Sequence, residues 1–102
     1  MDDSGTKGRR KNWSNGRAWR ITQLLEDEMR KMQAEGWQCS PEASKRFDAL
    51  LAKRYRIENT HNMGAFERNA VEMLQLCKHD QRQQQQRREA WAARNRHAPT
   101  AD

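Results

Sequence analysis

Residues 40–59 constrain this chain more than any other stretch, because they define where a helix must begin. Ser40 is a favoured N-cap, Pro41 suits the first helical position, and Glu42 lies beside the positive end of the helix dipole. The apolar residues that follow recur at i, i+3, i+4 and i+8, which predicts one apolar stripe that other elements must cover. These residues are Phe47, Leu50, Leu51 and Tyr55.

Basic side chains fill much of the remaining circumference of this helix. A helix with an apolar strip on one side and cations on the other packs on its own domain and offers its outside to a polyanion. The basic residues are Lys45, Arg46, Lys53, Arg54 and Arg56.

Length and charge limit what this helix can belong to. With 102 residues and a mean hydropathy of −1.33, the chain has room for one small domain and only part of it can pack. Its formal charge of +6 favours acidic partners, with nucleic acid before an anionic membrane. No apolar run approaches a membrane span, and the N-terminus lacks the apolar core of a signal peptide. We therefore expect an intracellular, soluble protein with no membrane partner.

Motifs that carry chemistry are absent from the sequence. Cys39 and Cys77 are far apart and have no CxxC spacing, so we expect two small buried or half-buried thiols rather than a disulfide or zinc site. The three histidines have no carboxylate or cysteine at ligand spacing. There is no glycine-rich phosphate loop and no nucleophile motif. These observations argue against an enzyme and predict no cofactor.

The other segments predict two further helices between polar tails. Residues 1–16 read as a disordered basic arm whose isolated Trp13 is expected to dock on some other surface, and its cations are Lys7, Arg9, Arg10 and Lys11. Residues 17–78 form the predicted helical domain. Residues 79–102 are a polar, Gln- and Arg-rich stretch, which we interpret as a helical extension or a tail.

Helical spacing defines the faces of the two other helices. The first carries Ile21, Leu24, Leu25, Met29 and Met32 at intervals of three or four, with Trp19 near that face. Gly36 is placed to end it in a left-handed turn, with Trp37 folding back. The last helix, capped by Thr60 or Asn62, carries Phe66, Ala70, Met73, Leu74 and Cys77 on one face.

Residues 36–41 read GWQCSP and residues 53–56 read KRYR, with Phe47 and Leu50 between them. This pattern resembles the plant trihelix transcription factors, a branch of the Myb/SANT-like DNA-binding domains. The basic cluster of residues 7–11 resembles that family's loop, and Trp19 resembles its helix-opening tryptophan. The family's first helix has no counterpart here. Either the other helices supply its packing surface, or the domain is completed by a second copy or another protein.

The resemblance implies a specific fold and function. The expected fold is all-α, a small bundle of three helices with Myb/SANT-like helix-turn-helix character and disordered or frayed tails. The third family helix, residues 41–58, would contact double-stranded DNA in a nuclear, transcription-regulating protein. Its expected contacts are Lys45, Arg46, Lys53 and Arg56, with Lys7, Arg9, Arg10 and Lys11 from the arm. The expected core is Trp19, Leu24, Leu25, Met29, Trp37, Phe47, Leu51, Tyr55, Phe66 and Leu74.

A second function stays open at this point. Apolar stripes left uncovered by the absent helix could dock on a partner, which makes the chain an α-helical adaptor that self-associates or binds another protein. The methionines and the Gln-rich tail with Trp91 are the residues that favour this alternative.

Overall fold

Three helices make up the described part of the chain. The computed structural model describes residues 13–97 and gives α1 as Asn15–Ala34, α2 as Pro41–Thr60 and α3 as Met63–His97. No strand occurs within that range, so the predicted all-α, three-helix fold is confirmed. The predicted arm contacts Lys7, Arg9, Arg10 and Lys11 lie outside the described residues, as does most of the predicted disordered arm. Its last residues, 13–16, are described, and Asn15 and Gly16 belong to α1 instead.

Each helix begins at a side chain that caps its free N–H groups. The hydroxyl of Ser14 accepts from the backbone N–H of Arg17 at 3.2 Å, and that of Ser40 accepts from Ala43 at 3.1 Å. The side-chain oxygen of Asn62 accepts from Ala65 at 3.0 Å. The predicted caps at Ser40 and Asn62 are therefore confirmed, and Pro41 occupies the first turn of α2 as expected.

The turn after α1 has the predicted left-handed form. Gly36 adopts a φ of 99°, a region that favours glycine, and the N–H of Trp37 then donates to the carbonyl of Met32 at 3.0 Å. This hydrogen bond folds Trp37 back onto the bundle, where its side chain is buried. The shorter turn after α2 has His61 at a φ of 56°.

The long helix α3 is the element on which both other helices pack. Helix α1 runs parallel to it, because Arg17 pairs with Glu67 near their starts and Gln81 donates to Glu35 at the end of α1. Helix α2 runs antiparallel to α3. Its start meets Asp80 through Ser40, and its middle meets Asn69, whose side chain donates to the carbonyl of Leu50.

The core lies along one face of α3 and is close to the predicted one. Leu25, Trp37 and Phe66 are buried as predicted, and Met29, Phe47, Leu51 and Leu74 are half-buried against them. Other buried side chains complete this core: Ala18, Met32, Ala43, Met63, Ala70, Met73 and Cys77. Trp13 packs edge-on against Phe66 at 5.2 Å between ring centroids, which confirms its expected docking.

Three predicted core residues are exposed instead. Trp19, Leu24 and Tyr55 retain 66%, 58% and 59% of their accessible surface, so their core assignment is wrong. Each residue turns a helix by about 100°, which puts Leu24 about 100° from the buried Leu25. Since α1 and α2 both face α3, each buries only a narrow stripe. No element in the described range covers positions so far from it.

The position beside Tyr55 shows why that assignment failed. Arg54 is only 5% exposed and occupies the buried position that was predicted for the apolar side chain of Tyr55. Its long aliphatic stem can pack like a hydrophobe while its guanidinium finds partners inside the bundle. The buried stripe of α2 is therefore turned toward Arg54, which leaves Tyr55 in solvent.

Candidate nucleic-acid interface

The outer face of α2 brings together the four contacts predicted on this helix. Lys45, Arg46, Lys53 and Arg56 are all exposed. At about 100° per residue they fall within an arc of about 100°, on the side of the helix away from the buried Arg54. We call these four side chains the α2 basic face. It extends over most of the helix, because its members lie in both the first and the last half.

None of these four cations takes part in an ion pair within residues 13–97. The basic residues of α1 differ in this respect. Arg30 pairs with Asp27, Lys31 approaches Glu28 at 3.3 Å, and Arg17 approaches Glu67 at 2.5 Å. The positive potential of α1 is therefore partly cancelled locally, whereas that of the α2 basic face is directed into solvent.

The centre of the α2 basic face is smooth. Ala49 and Ala52 are exposed, lie between Lys45 and Arg56 along the helix, and fall within about 20° of one of these two residues around it. Side chains this small allow a partner to approach the helix closely while the longer basic side chains reach around it. Glu42 is a carboxylate within this arc, and it lies in the first turn of α2, where the positive end of the helix dipole favours it.

Arg54 belongs to the core and not to this face. Its guanidinium carbon lies 3.9 Å from the centroid of the Phe66 ring, a cation–π contact. It donates to the hydroxyl of Thr22 and, at 3.4 Å, to the side-chain oxygen of Asn69. Burial lowers the pKa of Arg54, and nearby carboxylates including Glu58 act against that shift. The sequence counted Arg54 among the outward cations, and the structure corrects this.

Asp80 anchors the start of α2. One carboxylate oxygen accepts from the indole N–H of Trp37 at 3.1 Å and from the backbone N–H of Ser40 at 3.0 Å. The same oxygen also accepts from the side-chain amide of Gln84 at 2.8 Å, and the other oxygen accepts from the Ser40 hydroxyl at 2.7 Å. Burial acts to raise the pKa of Asp80, but the hydrogen bonds from Ser40, Trp37 and Gln84 outweigh it and lower the pKa below its ordinary value.

Sequence reasoning missed Asp80, although a signal was present. Asp80 lies three residues after Cys77 and so continues the apolar stripe of α3. A carboxylate at a position that the period assigns to the core requires several donors around it. The nearby Ser40 and Trp37, some forty residues earlier in the chain, supply them.

Two depressions flank α2. A polar cleft of about 250 Å³ beside its first turns is lined by Ser40, Arg46, His79, Gln83 and Arg87, among others. A larger open groove of about 890 Å³ is lined mainly by α1 and α3. Its apolar residues include Leu24 and Val71, which is 53% exposed.

The cysteines offer no reactive thiolate. Burial raises the pKa of Cys77 to about 11, with smaller contributions from Cys39 and Asp80. Partial desolvation, followed by Asp80 and Asp48, likewise raises the pKa of Cys39. Cys77 is buried as expected, whereas Cys39 is exposed, which corrects its expected burial.

Residues 13–97 contain neither a metal-binding cluster nor a membrane-spanning helix. No set of three or more His, Cys, Asp or Glu side chains there is arranged to hold a metal ion. None of the three helices is long and apolar enough to cross a membrane.

Comparisons of the chain with protein-family models, with curated proteins and with solved structures each found no match. The fold and the site define a small all-α protein with an unpaired basic helix face. The likeness to the trihelix family stays a prediction from the residues quoted above.

Proposed function

We propose that this chain is a DNA-binding module whose α2 basic face contacts duplex DNA. The observation that supports the proposal is the clustering of Lys45, Arg46, Lys53 and Arg56 on one exposed arc with no ion-paired carboxylate in the described range. A module of this kind acts in the nucleus as part of a transcription-regulating protein, which completes the proposal.

The physical basis is the charge density of the duplex. Each cation that neutralises a phosphate releases condensed counterions. The logarithm of the binding constant therefore falls with the logarithm of the salt concentration, with a slope of about −0.9 per contact. Four contacts from the α2 basic face correspond to a slope of about −3.6. An α-helix fits the major groove, where Arg46 is the best candidate for a bidentate contact to guanine. The lysines position the helix on the backbone and carry no sequence information.

The exposure of Tyr55 separates two lines of support. The trihelix resemblance gave this tyrosine a core position, and its 59% exposure counts against that part of the resemblance. The charge argument does not depend on Tyr55, because the basic arc is defined by exposed side chains on the other side of α2. The proposal therefore rests on charge and geometry more than on the family pattern.

A salt-dependent titration tests the proposal. Wild-type protein and the Lys45→Gln/Lys53→Gln variant are titrated with a fluorescent duplex at two salt concentrations. The variant should bind more weakly and its slope should be smaller in magnitude by up to about 1.8.

The matched control is Arg30→Gln/Lys31→Gln, which removes the same charge from the ion-paired cations of α1. It should bind nearly as well as the wild type, because those cations already face carboxylates. Equal weakening by both variants would show that only net charge matters. Absence of salt-sensitive binding by the wild type would reject the proposal.

The large groove favours a second candidate function, an adaptor that binds an amphipathic helix of another protein. Leu24 and Val71 expose more than half of their surface in this groove, next to the half-buried Ile21 and Leu74. Large exposed apolar surfaces of this kind are typical of protein contacts. Light scattering of the wild type and of Leu24→Glu/Val71→Glu is the test. Two results together would count against the adaptor. The wild type would be monomeric at all concentrations, and pull-downs would yield no complex that depends on Leu24 and Val71.

A further inference from the structure

We infer that residues 85–95, the part of α3 that continues beyond α1 and α2, form a second DNA-contacting element. We call them the projecting segment. This inference rests on the proposed function and assigns to the same duplex a contact surface that the α2 basic face does not include.

The projecting segment begins where the packing of α3 ends. Among the side-chain hydrogen bonds that join α3 to the rest of the bundle within residues 13–97, the one farthest along α3 runs from Gln84 to the carbonyl of Gln38 at 2.8 Å. Beyond it, the side-chain hydrogen bonds run along the helix itself, from Gln85 to Glu89 and from Asn95 to the carbonyl of Trp91. No residue of the projecting segment is buried. A solvated single helix of this kind is marginally stable and is easily reinforced by a partner.

The side chains of the segment suit a polyanion that carries bases. Arg87, Arg88 and Arg94 stand against the single carboxylate of Glu89. The remaining polar side chains are glutamine and asparagine, which together with arginine are the types that read base edges. Eleven residues of helix extend about 16 Å, enough to cross a major groove about 12 Å wide.

The segment lies on the side of α3 that carries α2. Asn69 and Asp80 contact α2, and Arg87 and Arg94 follow them around the helix within an arc of about 40°. Arg87 also lines the polar cleft together with Arg46 of the α2 basic face. The first turns of α2 and the projecting segment of α3 therefore lie next to each other, and both carry exposed cations. One duplex could contact both surfaces together.

The cleft also contains carboxylates, which restricts the inference. Glu42 and Asp80 line it with Arg46 and Arg87, so it has no net charge of its own. Asp80 is occupied by its hydrogen bonds from Ser40, Trp37 and Gln84. We therefore assign the contact to the exposed arginines of the projecting segment and do not propose a phosphate site within the cleft.

The test compares two triple variants. Arg87→Gln/Arg88→Gln/Arg94→Gln removes the cations of the projecting segment and keeps good helix formers, so the fold should persist, as circular dichroism can verify. Arg20→Gln/Arg30→Gln/Lys31→Gln removes the same charge from α1. Each is titrated with a 20-base-pair duplex at several salt concentrations, and hydrogen exchange of wild-type residues 85–95 is measured with and without the duplex.

The segment variant should bind about tenfold or more weakly than the α1 variant at 0.1 M salt, with a slope smaller by about 0.9 per lost contact. Amide exchange in residues 85–95 should slow when the duplex is added. The inference would be overturned if the wild type binds, the two variants have equal affinities, and amide exchange in residues 85–95 is unchanged. The proposal for the α2 basic face would then still stand. Failure of the wild type to bind any duplex would reject both. Tighter binding of a single-stranded RNA that depends on the same arginines would also overturn the assignment to duplex DNA.

Discussion

Replacing Asp80 by alanine should destabilise the protein strongly, because one buried carboxylate connects three parts of the fold. Its oxygens accept from Trp37, which is 4% exposed, and from the backbone and hydroxyl of Ser40. Hydrogen bonds to a charged acceptor contribute about 1.5–3 kcal/mol each. The Trp37 and Ser40 backbone donors are left unpaired, whereas Gln84 and the Ser40 hydroxyl can turn to water. The expected loss is about 3–5 kcal/mol.

Urea and thermal unfolding followed by circular dichroism measure this loss. In a domain of this size, about 3–5 kcal/mol lowers the melting temperature by about 12 °C or more. Glu72→Ala is the matched control, since it removes an exposed carboxylate from the same helix and should stay within about 0.5 kcal/mol of the wild type. If Asp80→Ala behaves like Glu72→Ala, the anchoring role assigned to Asp80 is refuted.

The pH dependence provides an independent check of the same interaction. Because the pKa of Asp80 is lowered in the folded state, its ionised form stabilises the fold above the unfolded-state pKa of about 3.9. This stabilisation is lost as the pH falls through the lowered folded-state pKa. The stability gap between wild type and Asp80→Ala should therefore be full near neutral pH and shrink in acid. A gap that stays constant down to pH 2 would contradict the assignment of a lowered pKa.

Three further predictions concern stability and are measured by denaturant unfolding. Arg54→Ala should cost about 2–4 kcal/mol, because it leaves a cavity beside Phe66 and an unpaired Asn69 oxygen, whereas Arg54→Met should recover much of the packing; equal losses would show that the charge itself is required. Tyr55→Ala should cost less than about 1 kcal/mol, as expected for an exposed side chain, and a loss of 3 kcal/mol would restore its core role. Gly36→Ala should cost about 1–2 kcal/mol because of its positive φ, and an unchanged stability would contradict the turn.

The local features of the fold could be predicted because they depend on neighbouring residues. Ser40, Pro41 and Gly36 define helix ends through interactions with residues a few positions away. The burial of Leu25 and Phe66 could also be predicted, because both lie well within the apolar stripes of their helices.

The edges of the stripes could not be predicted in this way. Which of Arg54 and Tyr55 is buried depends on the direction of the neighbouring helix, and adjacent positions differ by only about 100° around α2. The core assignments of Trp19 and Leu24 were wrong for the same reason. Side-chain size and hydrophobicity alone do not determine exposure at the edges of the packed face of a helix.

Part of the candidate site could be predicted from the sequence, and part of it could not. Helical spacing opposite the apolar stripe predicts that Lys45, Arg46, Lys53 and Arg56 point outward, and their exposure confirms it. Whether carboxylates neutralise them depends on residues from other helices, which only the structure supplies. Asp80 was missed although it continues the apolar stripe of α3, because its donors Trp37 and Ser40 come from a distant turn.

Mapping backbone amide chemical shifts with and without a duplex is the most direct test that the outer face of α2 is the contact surface. We predict that shifts concentrate on α2 around Lys45, Ala49, Ala52 and Arg56, while the amides of α1 near Leu24 change little. A duplex that leaves the amides of α2 unchanged, or that shifts only those lining the groove between α1 and α3, would contradict this account.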